Sequence, residues 1–525
     1  MKNMEIRKKF LFLFFLIYKI SFSLVIGKKV NETETDCVKL SPFIQGHTKG
    51  DSLSCCENDE IECDNDGFIT SLKITGLMED INLFPFLSRI EELQFNNNDI
   101  KEIPDSILKL TSLKILNLGE NYIEVIPPTI KNLSKLEKFA LYENQIEVIP
   151  SVIENLTQLE TLDFSTNKIK KLPNEMFNLK NLKFLILYGN QIEVIPSEIE
   201  NLSKLEEIDF SINKIKNLPN ELFNLRNLNS LDVNINQIEV IPPAIQNLTQ
   251  LEILYIYNNN IKILPNELFS LKKLKLLSIY SNQIKVIPPA IQNSSQLEIL
   301  DVNTNQIEVI LPAIQNLSQL ELLIIHHNNI KVLPNELFNL KTLKVLDVSI
   351  NQIEVISPAI QNLSQLELLD ISGNFIKTLP NELFNLKNIR KIDLKNNQNL
   401  KTKIIKFGNS TINNCNFNNM NISCYEQHTC NFIIFNNKKF TDDEAAKEFK
   451  ICSQREIDEL FNSTKNTKDI IIGCTIVFLS ILIIFILIKT SVDAENAVRQ
   501  ASRDNSSEGE DYYFFHIINS NFNPK

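Results

Sequence analysis

The sequence predicts an α/β solenoid, an elongated stack of similar short turns, because one asparagine recurs every 23 residues through most of the chain. No insertion or deletion interrupts this period. Before each asparagine, two apolar residues alternate with polar ones, as in a strand that buries one face. Each turn can therefore bury its apolar side only against its neighbours. The fourteen asparagines are Asn98, Asn121, Asn144, Asn167, Asn190, Asn213, Asn236, Asn259, Asn282, Asn305, Asn328, Asn351, Asn374 and Asn397.

The unit that ends at Asn121 shows how one turn is built. Leu116 and Leu118 lie on the buried side of a short strand, and Asn121 ends that strand. We expect the asparagine amide to bond backbone groups where the chain bends, so that stacked asparagines form a ladder. A buried amide without partners would cost about 1–3 kcal/mol. A proline usually follows, as at Pro127, and suits an irregular return because it fixes φ and donates no hydrogen bond.

The pattern L-x-x-L-x-L-x-x-N-x-I-x-x-I/L-P-x-x-I/L resembles a leucine-rich repeat of the 23-residue class and covers roughly residues 87–400. The units are most similar to those of the Ras-group leucine-rich-repeat scaffolds. The resemblance implies a horseshoe with a parallel sheet on its concave side. We assign about 14 units to residues 79–400.

The two ends of the chain predict a single-pass type I protein of the plasma membrane with extracellular repeats. Residues 1–23 are typical of a signal peptide, since basic residues precede an apolar run and small residues follow it. An uncleaved signal anchor is the alternative. Residues 470–488 carry no charge and are long enough for a transmembrane helix. Residues 461–469 would form a juxtamembrane segment and residues 489–525 a cytoplasmic tail.

Cysteines flank the repeats and are absent from them. A solenoid exposes apolar surface at both ends, and disulfide-braced caps at residues 24–78 and 401–460 would cover it. A four-cysteine metal site in each cap is the alternative, but the spacing lacks the usual pairs, so we expect no metal and no cofactor. The cap cysteines are Cys37, Cys55, Cys56, Cys63, Cys415, Cys424, Cys430 and Cys452.

The first cap carries a second resemblance. The pair Cys55-Cys56, the later Cys63 and the strand-like Gly67-Phe-Ile-Thr-Ser-Leu-Lys-Ile74 are similar to the N-terminal cap of plant receptor-like proteins, although the usual tryptophan is missing. The resemblance and the short separations imply the pairs Cys37–Cys55 and Cys56–Cys63. The C-terminal four would pair among themselves. Each set of four allows three connectivities, and the sequence alone does not choose between them.

Eleven N-x-Ser/Thr sequons before the predicted membrane helix predict a glycoprotein. Seven of them, from Asn132 to Asn362, stand eleven residues after a ladder asparagine, so their glycans would cover one outer or flanking face. Copying of a sequon during repeat duplication is the alternative explanation of this shared position. The sequon asparagines are Asn31, Asn132, Asn155, Asn201, Asn247, Asn293, Asn316, Asn362, Asn409, Asn421 and Asn462.

From Glu147 to Lys377, charge alternates three residues after the ladder asparagines, apart from the neighbours Lys262 and Lys285. We expect exposed ion pairs along this solvated edge, each worth about 0.2–1 kcal/mol. The alternation also indicates a 46-residue double unit, so that the array grew by duplicating pairs of turns. The charged residues are Glu147, Lys170, Glu193, Lys216, Glu239, Lys262, Lys285, Glu308, Lys331, Glu354 and Lys377.

The predicted concave face carries aromatic residues beside aspartates, a combination typical of binding hot spots. Aspartates at these positions also occur as part of the repeat architecture, which is the alternative explanation for them. We predict that the ligand contacts the densest patch, in which adjacent strands place Tyr257 and Tyr280 about 5 Å apart. The predicted patch consists of Tyr255, Tyr257, Tyr280, Ile324 and His326.

Catalysis and nucleic-acid binding find little support in the sequence. His326 and His327 beside Asp301 and Asp347 resemble a metal or acid–base site, but no nucleophile, phosphate-binding loop or paired metal motif accompanies them. We therefore expect no enzyme activity. The net charge is −11 and no basic stripe exists, which opposes nucleic-acid binding.

These features predict a single-pass cell-surface receptor or co-receptor that binds an extracellular protein or glycan by its concave face. An adhesion or cell-surface architecture protein is the alternative. An intracellular scaffold for small GTPases is a third reading, which the signal peptide, the cap cysteines and the sequons oppose. Residues 489–525 are too few for a folded enzyme, so signalling would require a co-receptor that acts through the membrane helix or the tail.

Overall fold

The computed structural model describes most of both predicted caps and of the repeat array. The described residues are 36–44, 55–76, 81, 84–407 and 411–458. The predicted signal peptide (1–23), juxtamembrane segment (461–469), membrane helix (470–488) and tail (489–525) lie outside them, as do Asn31, Asn409 and Asn462. Within the described ranges, no helix is both long and apolar enough to cross a bilayer.

One sheet of nineteen strands runs through the repeat array and into both caps. Neighbours from β2 to β20 pair in parallel, whereas β1 and β21 pair antiparallel with them at the two edges. A separate parallel pair is formed by β17 (Lys401–Ile404) and β19 (Asn421–Tyr425). The strands of the large sheet are β1 (Ile61–Cys63), β2 (Ile69–Lys73), β3 (Glu92–Gln94), β4 (Ile115–Asn117), β5 (Lys138–Ala140), β6 (Thr161–Asp163), β7 (Phe184–Ile186), β8 (Glu207–Asp209), β9 (Ser230–Asp232), β10 (Ile253–Tyr255), β11 (Leu276–Ser278), β12 (Ile299–Asp301), β13 (Leu322–Ile324), β14 (Val345–Asp347), β15 (Leu368–Asp370), β16 (Lys391–Asp393), β18 (Ile412–Asn416), β20 (Cys430–Phe435) and β21 (Lys438–Thr441).

Neighbouring repeat strands pair without any shift of register. Leu254 of β10, for example, lies opposite Leu277 of β11, which is 23 residues later. Residues at the same repeat position therefore form straight rows across the sheet. The fourteen strands from β3 to β16 each precede one of the fourteen periodic asparagines. The parallel sheet also continues past residues 79 and 400, since β2, β18 and β20 belong to it.

The return segments are short 3-10 helices rather than α-helices. Most begin after a proline in an extended conformation, such as Pro150 with φ −72° and ψ 146°, and last five residues. The α-helices α1 (Asp36–Ile44) and α2 (Asp442–Glu448) lie in the caps, and residues 454–458 are also helical. The 3-10 helices are Cys55–Glu57, Ile107–Lys109, Pro128–Asn132, Ser151–Asn155, Asn174–Asn178, Ser197–Asn201, Asn220–Asn224, Pro243–Asn247, Asn266–Ser270, Pro289–Asn293, Pro312–Asn316, Asn335–Asn339, Pro358–Asn362 and Asn381–Asn385.

The predicted 46-residue double unit reappears in the core. A buried phenylalanine occupies the 3-10 helix of alternate turns, at Phe177, Phe223 and Phe269, and again at Phe338 and Phe384. Two successive turns of the other type, with the helices Pro289–Asn293 and Pro312–Asn316, interrupt this order. The interruption falls where Lys262 and Lys285 break the alternation of charge.

The asparagine ladder is buried and joins each turn to the one before it. The Asn144 side-chain amide donates to the carbonyls of Leu118, in the preceding turn, at 2.9 Å and of Leu141 at 3.1 Å. Its oxygen accepts the Ile123 backbone N–H at 2.8 Å. Thirteen of the fourteen asparagines are buried, and Asn236 is partly buried. The ladder is confirmed, and its bonds run from side chain to backbone.

The residue before each ladder asparagine takes a left-handed conformation in all fourteen turns. Glycine or asparagine fits this conformation at several positions, including Gly189 with φ 69° and Asn258 with φ 51°. Ile212, Ile235 and Ile350 also adopt it, with φ of 56°, 51° and 50°. A β-branched residue is strained there, because its Cβ approaches the following carbonyl. The turns with a β-branched residue at this position therefore hold strain that the turns with glycine or asparagine avoid.

The N-terminal cap is held by two disulfides, Cys37–Cys55 and Cys56–Cys63, which are the pairs implied by the resemblance. The cap is also bonded to the first repeat by charged groups. Arg89 contacts Asp64 at 2.7 Å and Asp66 at 2.8 Å, and its guanidinium lies 4.0 Å from the centre of the Phe68 ring. Desolvation by burial raises the pKa of the Asp64 carboxyl, but hydrogen bonds from Arg89 and from two backbone amides outweigh it and lower the pKa.

The C-terminal cap closes the sheet with a hairpin. Cys415–Cys430 joins β18 to β20, and Cys424–Cys452 joins β19 to the segment after α2. The turn between β20 and β21 consists of Asn436 and Asn437, both at positive φ, as a tight hairpin with the right twist requires. Lysines on the edge strand β21 oppose pairing with further chains. The four C-terminal cysteines thus pair among themselves, as expected.

Candidate functional site

The solvent side of the large sheet, here called the sheet face, presents three rows of side chains. The first, second and third rows stand six, four and two residues before the ladder asparagines. Because the strands pair without shifts, each row runs straight from turn to turn. All five residues of the predicted ligand patch belong to the second and third rows.

Three of the five predicted residues form one tyrosine cluster. Tyr257 and Tyr280 stack with ring centres 4.2 Å apart and planes 10° apart. Tyr255 meets Tyr257 edge to face at 6.3 Å. The expected close approach of Tyr257 and Tyr280 is thus present. The cluster offers a rigid aromatic surface with phenol hydroxyls, a combination that suits recognition of amphipathic groups.

Tyr257 is more enclosed than the sequence suggested. Its exposure is 8%, although it is not part of the hydrophobic core. Removal of the Tyr257 side chain would therefore leave a gap on the sheet face, because the neighbouring tyrosines pack against its ring. Tyr255 and Tyr280 remain partly exposed and form the accessible part of the cluster.

Ile324 and His326 lie apart from the tyrosines. The register places Ser278 beside Asp301 and Asp301 beside Ile324, so two strand spacings, about 10 Å, separate the two groups. The predicted patch is therefore two clusters rather than one. The Nδ1 atoms of His326 and His327 lie 2.9 Å apart. Burial lowers the pKa of His326. The charge of Asp347 acts in the opposite direction, and the charge of His327 lowers this pKa further.

Partly buried carboxyl groups occupy the second row between and beside these clusters. Burial raises the pKa of Asp301 to about 6, against hydrogen bonds from Asn303 that lower it. The pKa of Asp370 is raised by burial, while bonds from Ser372 lower it and the charges of Asp393 and Asp347 raise it further. Stacked turns place like charges in one row, so this part of the sheet face holds its carboxylates at an energetic cost.

The first row holds an apolar stripe that sequence reasoning missed. Six consecutive strands present aliphatic side chains, all partly exposed. With strands about 4.8 Å apart, the stripe is about 24 Å long. The sequence contains the signal for this stripe, because the residue six positions before each of six successive ladder asparagines is aliphatic. The stripe consists of Ile253, Leu276, Ile299, Leu322, Val345 and Leu368.

The regular ion pairs do not lie at the predicted position, three residues after the ladder asparagines. Of the alternating charges three residues after the ladder, the described residues include only one pair, Lys377–Glu354 at 2.8 Å. The regular pairs lie seven residues before the ladder, beside the apolar stripe. They are Lys114–Glu91, Lys183–Glu160, Lys275–Glu252, Lys344–Glu321 and Arg390–Glu367, at 2.7–3.2 Å. These exposed pairs contribute little to stability.

The seven sequon asparagines that share a repeat position are all exposed. Each is the last residue of a 3-10 helix, as Asn132 and Asn155 show, and therefore precedes the next strand. Asn421 is exposed at the start of β19. Every described sequon thus has an accessible asparagine.

The four N-terminal cysteine sulfurs lie within 4.8 Å of one another, a spacing that would suit a metal ion if they were thiolates. They are paired as two disulfides instead, with Cys37 Sγ and Cys56 Sγ 3.7 Å apart. A disulfide sulfur carries no thiolate charge, so this arrangement braces the cap.

Comparison with family models matches most of the array. A leucine-rich repeat region matches residues 139–237 and 277–409, and leucine-rich-repeat models match residues 88–146 and 250–271. Among curated proteins, no sequence gives a significant match.

Solved structures give the fold independently. A leucine-rich-repeat protein of Leptospira interrogans is 28% identical with a TM-score of 0.62, over 67% of this chain and 92% of that one. A TDR receptor is 27% identical with a TM-score of 0.56, over 68% and 65%. The plant peptide hormone receptor RGFR1, in complex with RGF2, is 23% identical with a TM-score of 0.54, over 72% and 75%.

Such proteins are typically non-enzymatic binding scaffolds. The periodic ladder, the unshifted parallel sheet and these matches lead to one conclusion. The chain belongs to the leucine-rich-repeat proteins, and its fold is similar to that of plant peptide-receptor ectodomains and of bacterial leucine-rich-repeat proteins.

Proposed function

We propose that this protein is a single-pass cell-surface receptor or co-receptor whose sheet face binds an extracellular protein or glycan. The observation that carries the proposal is the tyrosine cluster, in which Tyr257 stacks on Tyr280 and Tyr255 contacts its edge. Aromatic groups fixed by their neighbours lose little conformational entropy when a ligand binds. Ile324 and His326 provide a second contact group on the same face.

The apolar stripe extends this surface. Ile253 lies in β10 together with Tyr255, and Leu276 begins β11, which ends two residues before Tyr280. From there the stripe continues to Leu368. An apolar strip beside aromatic and acidic groups can accept an elongated partner, with apolar contacts along its length and polar contacts at the second row. One of the similar solved structures is itself a receptor.

The proposed location rests on several sequence features together with the caps. The caps contain four disulfides, which persist in oxidising compartments. A signal peptide at residues 1–23, a membrane helix at 470–488 and glycans at the sequons are parts of this proposal. Glycosidase treatment of the protein from its own host should lower its apparent mass by several glycans. Unchanged mobility would contradict the proposed topology.

The binding surface can be tested with the full-length chain at the surface of its host cells. Surface cross-linking should capture extracellular partners with the wild type. In Tyr257→Ala/Tyr280→Ala, capture should fall by roughly thirtyfold, since hot-spot truncations typically cost about 2 kcal/mol or more. A Tyr257→Phe/Tyr280→Phe variant preserves the stack and separates loss of the hydroxyls from loss of packing.

Tyr122→Ala is the matched control. Tyr122 is 53% exposed and directly follows a ladder asparagine, so it lies off the sheet face. A cooperative thermal transition of the double alanine variant would show that the fold is intact, even if the gap left by Tyr257 lowers the midpoint. Full capture by a folded double variant would exclude the tyrosine cluster as the contact surface.

A further inference from the structure

Exposed β-branched residues form a further row, here called the valine row, which lies away from the three rows of the sheet face. Four residues after the ladder asparagine, six consecutive turns carry valine or isoleucine, with exposures of 50–78%. A contiguous apolar strip this exposed is uncommon on a monomer and marks interaction surfaces. This valine row consists of Val240, Ile263, Val286, Val309, Val332 and Val355.

The backbone keeps the valine row straight. Val286 and Val309 form a parallel β-bridge, so spacing between turns is strand-like here. Six side chains about 5 Å apart give a strip about 25 Å long. The row follows the C-terminal ends of the strands, whereas the seven aligned sequons precede the N-terminal ends of the next strands. Glycans at those sequons would therefore leave the valine row open.

The charges beside the valine row have a mirrored order. Each valine or isoleucine directly follows one residue of the alternating charge row. Counted outward from Lys285, the two directions give Lys262 against Glu308, Glu239 against Lys331 and Lys216 against Glu354. Every such pair has opposite signs, and all of these side chains are exposed.

We propose that the valine row is the interface of a homodimer in which two copies run antiparallel about a two-fold axis through the turn of Val286. A two-fold interface pairs one surface with itself, so residue i of one copy meets its mirror position in the other. Val286 then meets Val286, Ile263 meets Val309, and Val240 meets Val332. The charges flanking them meet opposite charges, apart from Lys285 at the axis.

Other arrangements fit less well. A parallel pairing, with the two-fold axis along the row, would place the charge rows of the two copies on opposite sides of the apolar strip, so that the alternating charges would not meet. An axis at the turn of Ile263 would also oppose unlike charges. However, it would face Asn217 against Val309 and Lys171 against Val355. The axis at Val286 keeps five successive turns apolar on both sides, and it therefore satisfies the charge order and the apolar row together.

Cysteine cross-linking of the full-length chain tests the axis directly. In a Cys474→Ser background, Val286→Cys should give a covalent dimer with a short bis-maleimide linker, because only residues at the axis meet themselves. Val148→Cys is the matched control, since Val148 has the same repeat position and is 70% exposed. Its two copies would lie about 60 Å apart across the axis. Val240→Cys/Val332→Cys should also cross-link, while each single variant should not.

Charge reversal provides an independent test. Lys262→Glu or Glu308→Lys alone places like charges together twice per dimer and should weaken the dimer about tenfold in mass photometry. The double variant Lys262→Glu/Glu308→Lys restores opposite charges and should restore the dimer. Failure of this rescue would overturn the proposal. So would cross-linking of Val286→Cys no stronger than that of Val148→Cys.

Discussion

The repeat array and the two caps stabilise neighbouring strands in different ways. Within the array, Asn259 donates to the Val233 carbonyl at 3.1 Å and accepts the Ile238 N–H at 2.9 Å, both in the preceding turn. The described array contains no disulfide, whereas the caps contain four. The difference shows that a ladder requires an equivalent turn on each side. At the last turn that condition fails, because Met420 occupies the position 23 residues after Asn397.

The largest expected effect concerns the C-terminal cap. Cys424→Ser/Cys452→Ser removes a cross-link that spans 28 residues and should cost about 3–4 kcal/mol of cap stability, by the loop-entropy relation. Chemical denaturation followed by hydrogen exchange measures the loss and its position. We expect faster exchange in residues 412–452 and little change in the middle of the array. A uniform increase would mean that the caps and the array unfold as one unit.

The ladder can be broken inside the array without touching a cap. Asn259→Ala leaves the Ile238 amide and the Val233 carbonyl without these partners and should cost about 1–3 kcal/mol. Asn229→Ala is the control, since Asn229 is exposed in a neighbouring turn and should change the thermal midpoint little. Equal midpoints for the two variants would show that the ladder does not hold the turns together.

Stacking of equivalent turns also has an electrostatic cost. The pKa of Asp301 is about 6 in the folded protein and 3.8 in the unfolded reference, so folding favours its protonated form. Its contribution to stability is therefore present below pH 3.8 and is lost as pH rises towards 6. Asp301→Asn should raise stability at pH 7 by about 1–2 kcal/mol and flatten this part of the pH profile. An unchanged profile would contradict the desolvation of this carboxyl.

The smallest expected effect concerns the strained position before the ladder. Ile235→Asn introduces the residue type that Asn258 presents at the same position with the same φ of 51°. It should stabilise the array by up to about 1 kcal/mol, because asparagine tolerates the left-handed region better than isoleucine. Asn258→Ile is the reverse change and should lower the thermal midpoint. Opposite signs for the two variants would confirm backbone strain, and equal signs would refute it.

The sequence was sufficient to predict the structure wherever each turn repeats the one before it. The 23-residue period predicted the strands that precede Asn98 through Asn397, because an unshifted register copies each turn onto its neighbour. The burial of Tyr257 was not predictable in this way, since it depends on how Tyr255 and Tyr280 lean over it. The separation of Ile324 from the tyrosines could be predicted from the sequence, because one strand, β12, lies between β11 and β13. The 3-10 helices of the returns, most of them five residues directly after a proline, were not predicted from the sequence.

The unshifted ladder also bears on how such a gene can change. Every junction between turns uses the same side-chain-to-backbone bonds, so recombination between repeats can add or remove turns and leave each new junction complete. The two successive turns with helices Pro289–Asn293 and Pro312–Asn316 have the form of such an event. One added turn reverses the phase of every alternating feature downstream of it. A single unequal exchange could therefore redraw the charge pattern along one side of the protein while the fold stayed the same.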